Sequence, residues 1–398
     1  MWFCRWCGAP QPAAVDHRLP NRNRSGGWKK WLVGIISILL ILCTVLIVLA
    51  ALSFDPAALI LSITAAAIPA VVYSWLVLRL DRYEREPWPV VLAAFGWGAV
   101  AAILLALVLE ILTGSVLYAA IGDQNAADIL TLAIGAPLIE ETTKGIALLL
   151  LLWLFRSEFD NVLDGLIYGA LIGLGFAMTE NILYLGAEYL DDGAKALGEL
   201  FVVRVIIDGF GHAVYTATTG AAVGWARSRY RKGGWRFVVP VLGYSLAVLL
   251  HALWNSSLLL VGDLYGHNAS LFKVVLIQGP ILTLAPLIVL FLIARASGRR
   301  ELEILRLQLA PEVAAGVLTP REYEVVTTNE LRKSAVKSAM RSGGKAARDQ
   351  QQRFLQACSE LAFRKYHLSR GESLPQGQQS PEDAYRAELV YLRGQLQM

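Results

Sequence analysis

Residues 31–52, WLVGIISILLILCTVLIVLAAL, run for 22 positions without a formal charge. A run of about 18 or more such residues is long enough to cross a bilayer as a helix. Seven further apolar stretches follow, at about 57–79, 88–112, 128–155, 161–186, 200–226, 236–260 and 271–294. Lipid offers backbone groups no hydrogen-bond partners, so a spanning segment is a helix or part of a closed barrel. These runs are far longer than the roughly ten-residue strands of a barrel. The composition agrees: 56% of residues are hydrophobic, only 17% are charged, and the mean hydropathy is +0.50. A soluble domain averages about 45–50% apolar and 25% charged. The expected fold is therefore all-α, a polytopic membrane bundle of about eight transmembrane helices. Disorder is excluded, and an ordinary soluble enzyme is disfavoured.

Orientation follows from Lys and Arg in the short loops. Arg5, Arg18, Arg22, Arg24, Lys29 and Lys30 precede the first run. Arg82 and Arg85, then Arg156, then Arg227, Arg229, Arg231, Lys232 and Arg236, and finally Arg295, Arg299 and Arg300 occupy alternate loops. The intervening loops carry Asp55, Asp123, Glu188, Asp191, Asp192, Asp263 and a single Lys195. This pattern predicts a multi-pass protein of the cell membrane with both termini in the cytoplasm. The first run exceeds the 7–15-residue core of a cleavable signal, so it is expected to stay in the protein.

Three regions are predicted. Residues 1–30 form a basic cytoplasmic N-terminus, 31–294 the eight-helix membrane domain, and 295–398 a cytoplasmic tail of short helices, partly disordered near its end. In the tail, Thr319-Pro320-Arg321-Glu322 reads as a capping box with proline at the first helical position. Leu302, Leu305 and Leu309 repeat at helical spacing, and Ser342-Gly343-Gly344 reads as a break. Cys4 and Cys7 make one CxxC with no second pair, whereas a structural zinc wants four ligands. The better reading of that motif is an N-terminus without metal.

A charge near the bilayer centre costs about 2.5–3.5 kcal/mol on insertion scales, so charges kept there are paired or functional. They are distributed unevenly here. The first two spans hold none. The fourth carries Glu140, Glu141 and Lys144, and the fifth Asp164, Glu180 and Asn181. The sixth carries Arg204, Asp208 and His212, and the seventh His251 and Asn255. At the helical rise, Glu140, His212 and His251 fall roughly 16, 17 and 14 Å below the outer boundary, and Glu180 about 9 Å. Four helices thus offer polar groups at compatible depths in the outer half of the bilayer.

Residues four apart share a helix face. That pairs Glu140 with Lys144, Phe176 with Glu180 and His251 with Asn255, and aligns Arg204, Asp208 and His212 in one stripe. Glu141 reaches Lys144 at i,i+3. One lysine beside two adjacent carboxylates favours one ionised Glu, and the pair titrates as a unit. An ionised Glu beside a neutral imidazole is suited to deprotonate water. Plainer readings exist for each group. Glu140, Glu141 and Lys144 alone would serve as a structural ion pair. Arg204, Asp208 and Asp164 read as structural, and Glu110, at a helix end, simply meets water. The coincidence of carboxylates, histidines and an amide at one depth favours a site.

The segments EETTK (Glu140, Glu141, Lys144), FAMTEN (Phe176, Glu180, Asn181), His212 and HALWN (His251, Asn255) resemble, in order and span placement, the PrsW family of intramembrane proteases. That family is related to the CAAX-prenyl endopeptidases, which carry His where this chain has Glu180. DRYEREP, Asp81 to Pro87, resembles the loop before the family's third span. The likeness covers roughly residues 60–290. It implies cleavage of a single-span or membrane-associated protein substrate, typically an anti-sigma factor, on the extracytoplasmic side. No nucleic-acid partner is expected.

The residues leave two mechanisms open. In one, His212, His251 and a carboxylate such as Glu180 hold Zn²⁺ with a water at the open position. In the other, no cofactor is used: Glu140 activates water, tuned by Glu141 and Lys144, with His212 and His251 holding it, Glu180 in support and Asn255 on the oxyanion. The absence of HExxH slightly favours the second. Two other classes compete, a proton-coupled transporter and a non-catalytic membrane scaffold. A carrier commonly shows similar halves, whereas the polar residues here are confined to spans four to seven.

Overall fold

The computed structural model describes residues 2–3, 10–11, 55–81, 83, 86–156, 158–229, 233–265, 276–370 and 381–396. The apolar run at 31–52, and Cys4 and Cys7, lie outside them. Among the described residues the chain is helical, apart from a two-residue antiparallel pairing of Trp2–Phe3 with Pro10–Gln11. It divides into two compact units, one within residues 26–297 and one from residues 298–398 with the N-terminal stretch.

The larger unit starts with α1, Pro56–Leu78, whose first turn is capped by Asp55 accepting from the Ala57 and Ala58 amides. Next come α2 (Trp88–Gly96), a π-helical segment Trp97–Ala102, and α3 (Ile103–Ile121), which form one helical course. α3 ends at Gly122 with φ 77°, a left-handed stop that suits glycine. α4 (Gln124–Leu130) passes through a second π segment, Thr131–Gly135, into α5 (Ala136–Leu154). α6 spans Val162–Phe201 with a break at Gly193, φ 78°. A third π segment, Val202–Ile207, leads to α7 (Gly211–Arg229), then α8 (Trp235–Tyr265). A fourth π segment, Gly279–Leu284, opens α9 (Ala285–Ala314).

Five helical courses among the described residues are long and apolar enough to cross a membrane: Pro56–Leu78, Trp88–Ile121, Val162–Ser228, Trp235–Ser257 and Leu276–Ala314. The stretches at 161–186 and 200–226, expected as two spans, fall in one apolar course, Val162–Ser228, which the break at Gly193 and the turn at 208–210 interrupt and in which α6 packs on α7. The stretch at 128–155 becomes α4, its π segment and α5, and carries Glu140, Glu141 and Lys144. The protein is an all-helical, multi-pass membrane protein.

Side-chain burial has the inverted order that lipid demands. Ile60, Ile111 and Ile281 are 65%, 69% and 63% exposed, while Glu141 and Lys144 are 1% and 0% exposed. An apolar belt of this extent needs lipid around it. At the centre lies α6, which packs on α7 at backbone contact. A Cβ on Gly165 would stand 2.0 Å from the Gly220 carbonyl oxygen, and one on Gly173 2.3 Å from that of His212. Small residues therefore set how close His212 comes to α6.

In the smaller unit, the C-terminal part of α9 buries Leu305 and Leu309 completely. α10 (Pro320–Val326) carries the capping box of Thr319 and Glu322 with Pro320 in its first turn. α11, Asn329–Ser369, breaks at Gly343 and Gly344, where φ reaches 66° at the second. Its second half buries Phe354, Leu355, Cys358, Leu361 and Ala362. α12 spans Pro381–Leu396. Glu312 accepts from Lys365 at 2.6 Å and from Arg386 at 2.9 Å, and Arg393 clasps both Glu322 oxygens at 2.7 Å.

Candidate active site

Lys144 organises the site. Its position on α5, four residues after Glu140 and three after Glu141, places all three side chains on adjoining faces. Lys144 Nζ lies 3.0 Å from Glu140 Oε2, 2.9 Å from Glu141 Oε1 and 2.9 Å from His212 Nδ1. It also sits 3.8 Å above the Phe176 ring, a cation–π contact in a water-poor place.

The two glutamates differ in what surrounds them. Glu141 is saturated: Oε1 meets Lys144 and His251 Nδ1, the latter at 3.2 Å, and Oε2 accepts from Thr216 at 3.1 Å. Glu140 Oε2 takes Lys144 and stands 3.8 Å from His212 Nδ1 and 4.0 Å from His251 Nε2. Glu140 Oε1 has no hydrogen bond from the described residues.

The network fixes both imidazole tautomers. An ammonium can only donate, so His212 Nδ1 accepts from Lys144. His212 Nε2 then carries the proton, and it faces Glu180 Oε2 at 2.8 Å. Arg204 Nη2 reaches the same Glu180 oxygen at 2.7 Å. These are close ion-pair contacts rather than hydrogen bonds, since Glu180 Oε2 has no hydrogen-bond partner among the described residues. His251 donates from Nδ1 to Glu141, which leaves Nε2 with a free lone pair turned toward Glu140. The His212 and His251 rings meet edge to face at 5.0 Å, and Tyr215 stacks on His251 at 4.9 Å.

Six of the expected site residues thus come together: Glu140, Glu141 and Lys144 from α5, Glu180 from α6, His212 from α7 and His251 from α8. Asn255 is one turn beyond His251, and its amide donates 3.0 Å to the Leu132 carbonyl of the second π segment. Arg204 also donates from Nε to Asn181 at 2.9 Å, and Asp208 accepts from Thr283 at 2.7 Å. The π segment and the turn after it break the 3.6-residue period between Arg204, Asp208 and His212, yet Arg204 and His212 both reach Glu180 Oε2, while Asp208 turns to Thr283.

Several participants were not singled out in the sequence. Thr216 is one turn after His212 in HAVYT, so the same i,i+4 rule points to it. Tyr215 carries no such signal, since an aromatic on a membrane helix is common. Glu110, expected at a helix end, is instead inside α3, which continues to Ile121. It lies within electrostatic range of Glu140, Glu180 and Lys144.

Glu140, His212 and His251 offer one ligand atom each, all within 4.8 Å of one another. One carboxylate and two neutral imidazoles suit a first-row divalent ion. Each imidazole also turns its other nitrogen to a carboxylate, the usual backing of a metal-ligating histidine. The donor types therefore suit a metal, but the His212 lone pair is taken by Lys144 Nζ, so the arrangement does not admit one beside that ammonium.

The family described as PrsW family intramembrane metalloprotease matches residues 86–285, half of the chain, and includes every residue of this cluster. The chain belongs to the PrsW family. It is 29% identical over 215 residues to "Protease PrsW" of Geobacillus kaustophilus, covering 54% of this chain and 86% of that protein. It is 38% identical over 105 residues to "Protease PrsW" of Halalkalibacterium halodurans, 26% of this chain and 43% of that protein. With "Protease PrsW" of Clostridioides difficile it shares 24% over 195 residues, 49% of this chain and 78% of the other. No solved structure matches it. As a PrsW protein, the chain is an intramembrane peptidase, and the buried Glu140–His212–His251 cluster fits a catalytic site.

Proposed function

We propose that this PrsW protease hydrolyses peptide bonds of single-span or membrane-associated proteins of the anti-sigma-factor type, with Glu140 as the base that activates water. One observation carries the assignment of roles: the two adjacent carboxylates are unequally engaged, Glu141 on both oxygens and Glu140 on one. A base needs a free lone pair, and Glu140 Oε1 has it.

A water beside Glu140 donates one hydrogen to its carboxylate and the other to His251 Nε2. As the water oxygen bonds to the scissile carbonyl carbon, Glu140 takes its proton. The C–N bond then breaks, and the same proton passes from Glu140 to the departing amine. Lys144 Nζ stays 3.0 Å from Glu140 Oε2 and holds that carboxylate in place through the cycle. Glu141 fixes the His251 tautomer and Lys144 that of His212, with the Glu180 anion facing the His212 Nε2 proton. Asn255 supports the site by tying α8 to the second π segment. Only in place of the Lys144 ammonium could a divalent cation such as Zn²⁺ be held by Glu140, His212 and His251, where it would polarise the carbonyl and ease deprotonation of water.

The proposal extends to topology. Division of Val162–Ser228 into two antiparallel spans, insertion of α5 as a polar span and a span at 31–52 give eight crossings. Both termini then lie in the cytoplasm of the cell, with residues 1–30 as a basic N-terminus and 295–398 as a cytoplasmic tail. The site falls in the outer half of the bilayer.

The test is cleavage of a single-span substrate in cells carrying wild-type or Glu140→Gln protein at equal expression. Loss of product with Glu140→Gln is expected; retained cleavage would remove Glu140 as the base.

A further inference from the structure

An unprotonated imidazole nitrogen has a single in-plane lone pair. On His212 Nδ1 that lone pair is met by Lys144 Nζ at 2.9 Å. A metal ion would use it at about 2.0–2.1 Å, so the two centres would stand roughly 1 Å apart if both were present. Two positively charged centres do not coexist at that distance. Nor is His212 Nε2 an alternative, because it carries the ring proton while Nδ1 accepts from Lys144, and it faces Glu180 2.8 Å away.

Lys144 is not a passing occupant. It is fully buried, and it is satisfied by three acceptors within 3.0 Å and by the Phe176 ring. An ammonium has three donors, so all of them are used. Moving it out of the site would strand a desolvated charge among apolar side chains. A cation of fixed charge, covalently attached, already does there what a metal would do for the two carboxylates and the imidazole.

We infer that Lys144 is the resident cation of this centre, and that its ammonium and a divalent metal ion exclude one another. The inference takes from the proposed function only the location of the site. Metal affinity is read without any cleavage, so failure of the protease reading and failure of this one are separable.

The experiment is titration of purified, detergent-solubilised full-length protein with Co²⁺, followed by its visible absorption bands and by metal analysis. Wild type is expected to bind weakly or not at all. Lys144→Met frees the His212 lone pair and is expected to tighten Co²⁺ binding by at least about tenfold, the lower end of what groups around a metal site are worth. Arg204→Met is the control, since it removes a nearby positive charge without vacating that lone pair. It is expected to leave affinity within a few-fold of wild type. Lys144→Gln, neutral but still hydrogen-bonding, replaces Lys144→Met should the latter misfold. One tight equivalent in wild type, with Kd below about 1 μM and bands abolished by His212→Ala, overturns the inference even if neither lysine variant folds. Equal tightening by Arg204→Met also overturns it, because bulk charge would then explain the effect.

Discussion

Glu180 Oε2 lies 2.8 Å from Nε2 of His212. The contact spans two helices, and it sets an anion beside the proton that His212 carries on Nε2 while Nδ1 accepts from Lys144. Glu180→Gln keeps the shape and removes the charge. The imidazole then loses the anion beside its Nε2 proton. Cleavage should fall about 10–100-fold, the range seen when such backing groups are removed from a ligating histidine. Substrate affinity should change little, so the loss belongs in kcat. An unchanged kcat would show that the Glu180 anion does not tune His212.

Glu140 and Glu141 are neighbours in sequence but should fail differently. Glu140→Gln should lower cleavage by about 10²–10⁴-fold, the usual worth of a general base, with a smaller loss of thermal stability than Glu141→Gln because it weakens the single contact to Lys144. Glu141→Gln breaks contacts to Lys144, His251 and Thr216 together. Removing one partner of a buried pair costs about 3–5 kcal/mol, so this variant should show a clearly lowered Tm in detergent. Equal Tm values for the two variants would contradict the division of labour.

Helical spacing rules found part of this site and missed the rest for identifiable reasons. Spacing alone joined Glu140, Glu141 and Lys144, because all three lie on one unbroken α-helix. Compatible depths brought His212 and His251 to them, because the two histidines sit on regular helices as well. Spacing failed where the helix changes pitch. Arg204 lies in a π segment, and what joins it to His212 is the shared Glu180 carboxylate on α6, which spacing within one helix does not reveal. Asn255 does share a face with His251, yet the nearby π segment presents the Leu132 carbonyl and captures it. Hydropathy placed the Pro56–Leu78 course within a residue, but it did not register that α3 runs on to Ile121 or that helix resumes after the break at Gly193 and reaches Phe201.

Gly173 sets the depth of His212. A methyl there would lie 2.3 Å from the His212 carbonyl oxygen and 2.6 Å from its carbon, both backbone atoms. Helices α6 and α7 must then separate. Gly173→Ala should cost about 1–3 kcal/mol, the usual penalty of overpacking, and should weaken cleavage by displacing His212. Gly145, on α5, would have nothing within 4 Å of an added Cβ. Gly145→Ala should be neutral or gain up to about 1 kcal/mol from helix propensity. Thermal melts of the two variants, with cleavage assays alongside, test the contrast; equal effects would mean that α6–α7 contact does not position the site.

The smaller unit should be acid-sensitive through Glu322. Partial burial by itself would raise this carboxyl, but hydrogen bonds from Arg393 and from the Thr319 backbone and side chain outweigh it and hold it below the usual carboxylate range. A carboxyl lowered in the folded state binds fewer protons there than when unfolded. Its contribution to stability is therefore present above the unfolded value, near about 4.3, and is lost as pH falls through the lower folded value. Hydrogen exchange of residues 381–396 in the full chain should rise relative to the rest of the protein on acidification, as Arg393 loses its partner. Glu322→Gln should already show the faster exchange at pH 7, with little further relative change in acid. A wild-type profile as flat as that of the variant would show that the Arg393–Glu322 clasp does not hold α12 in place.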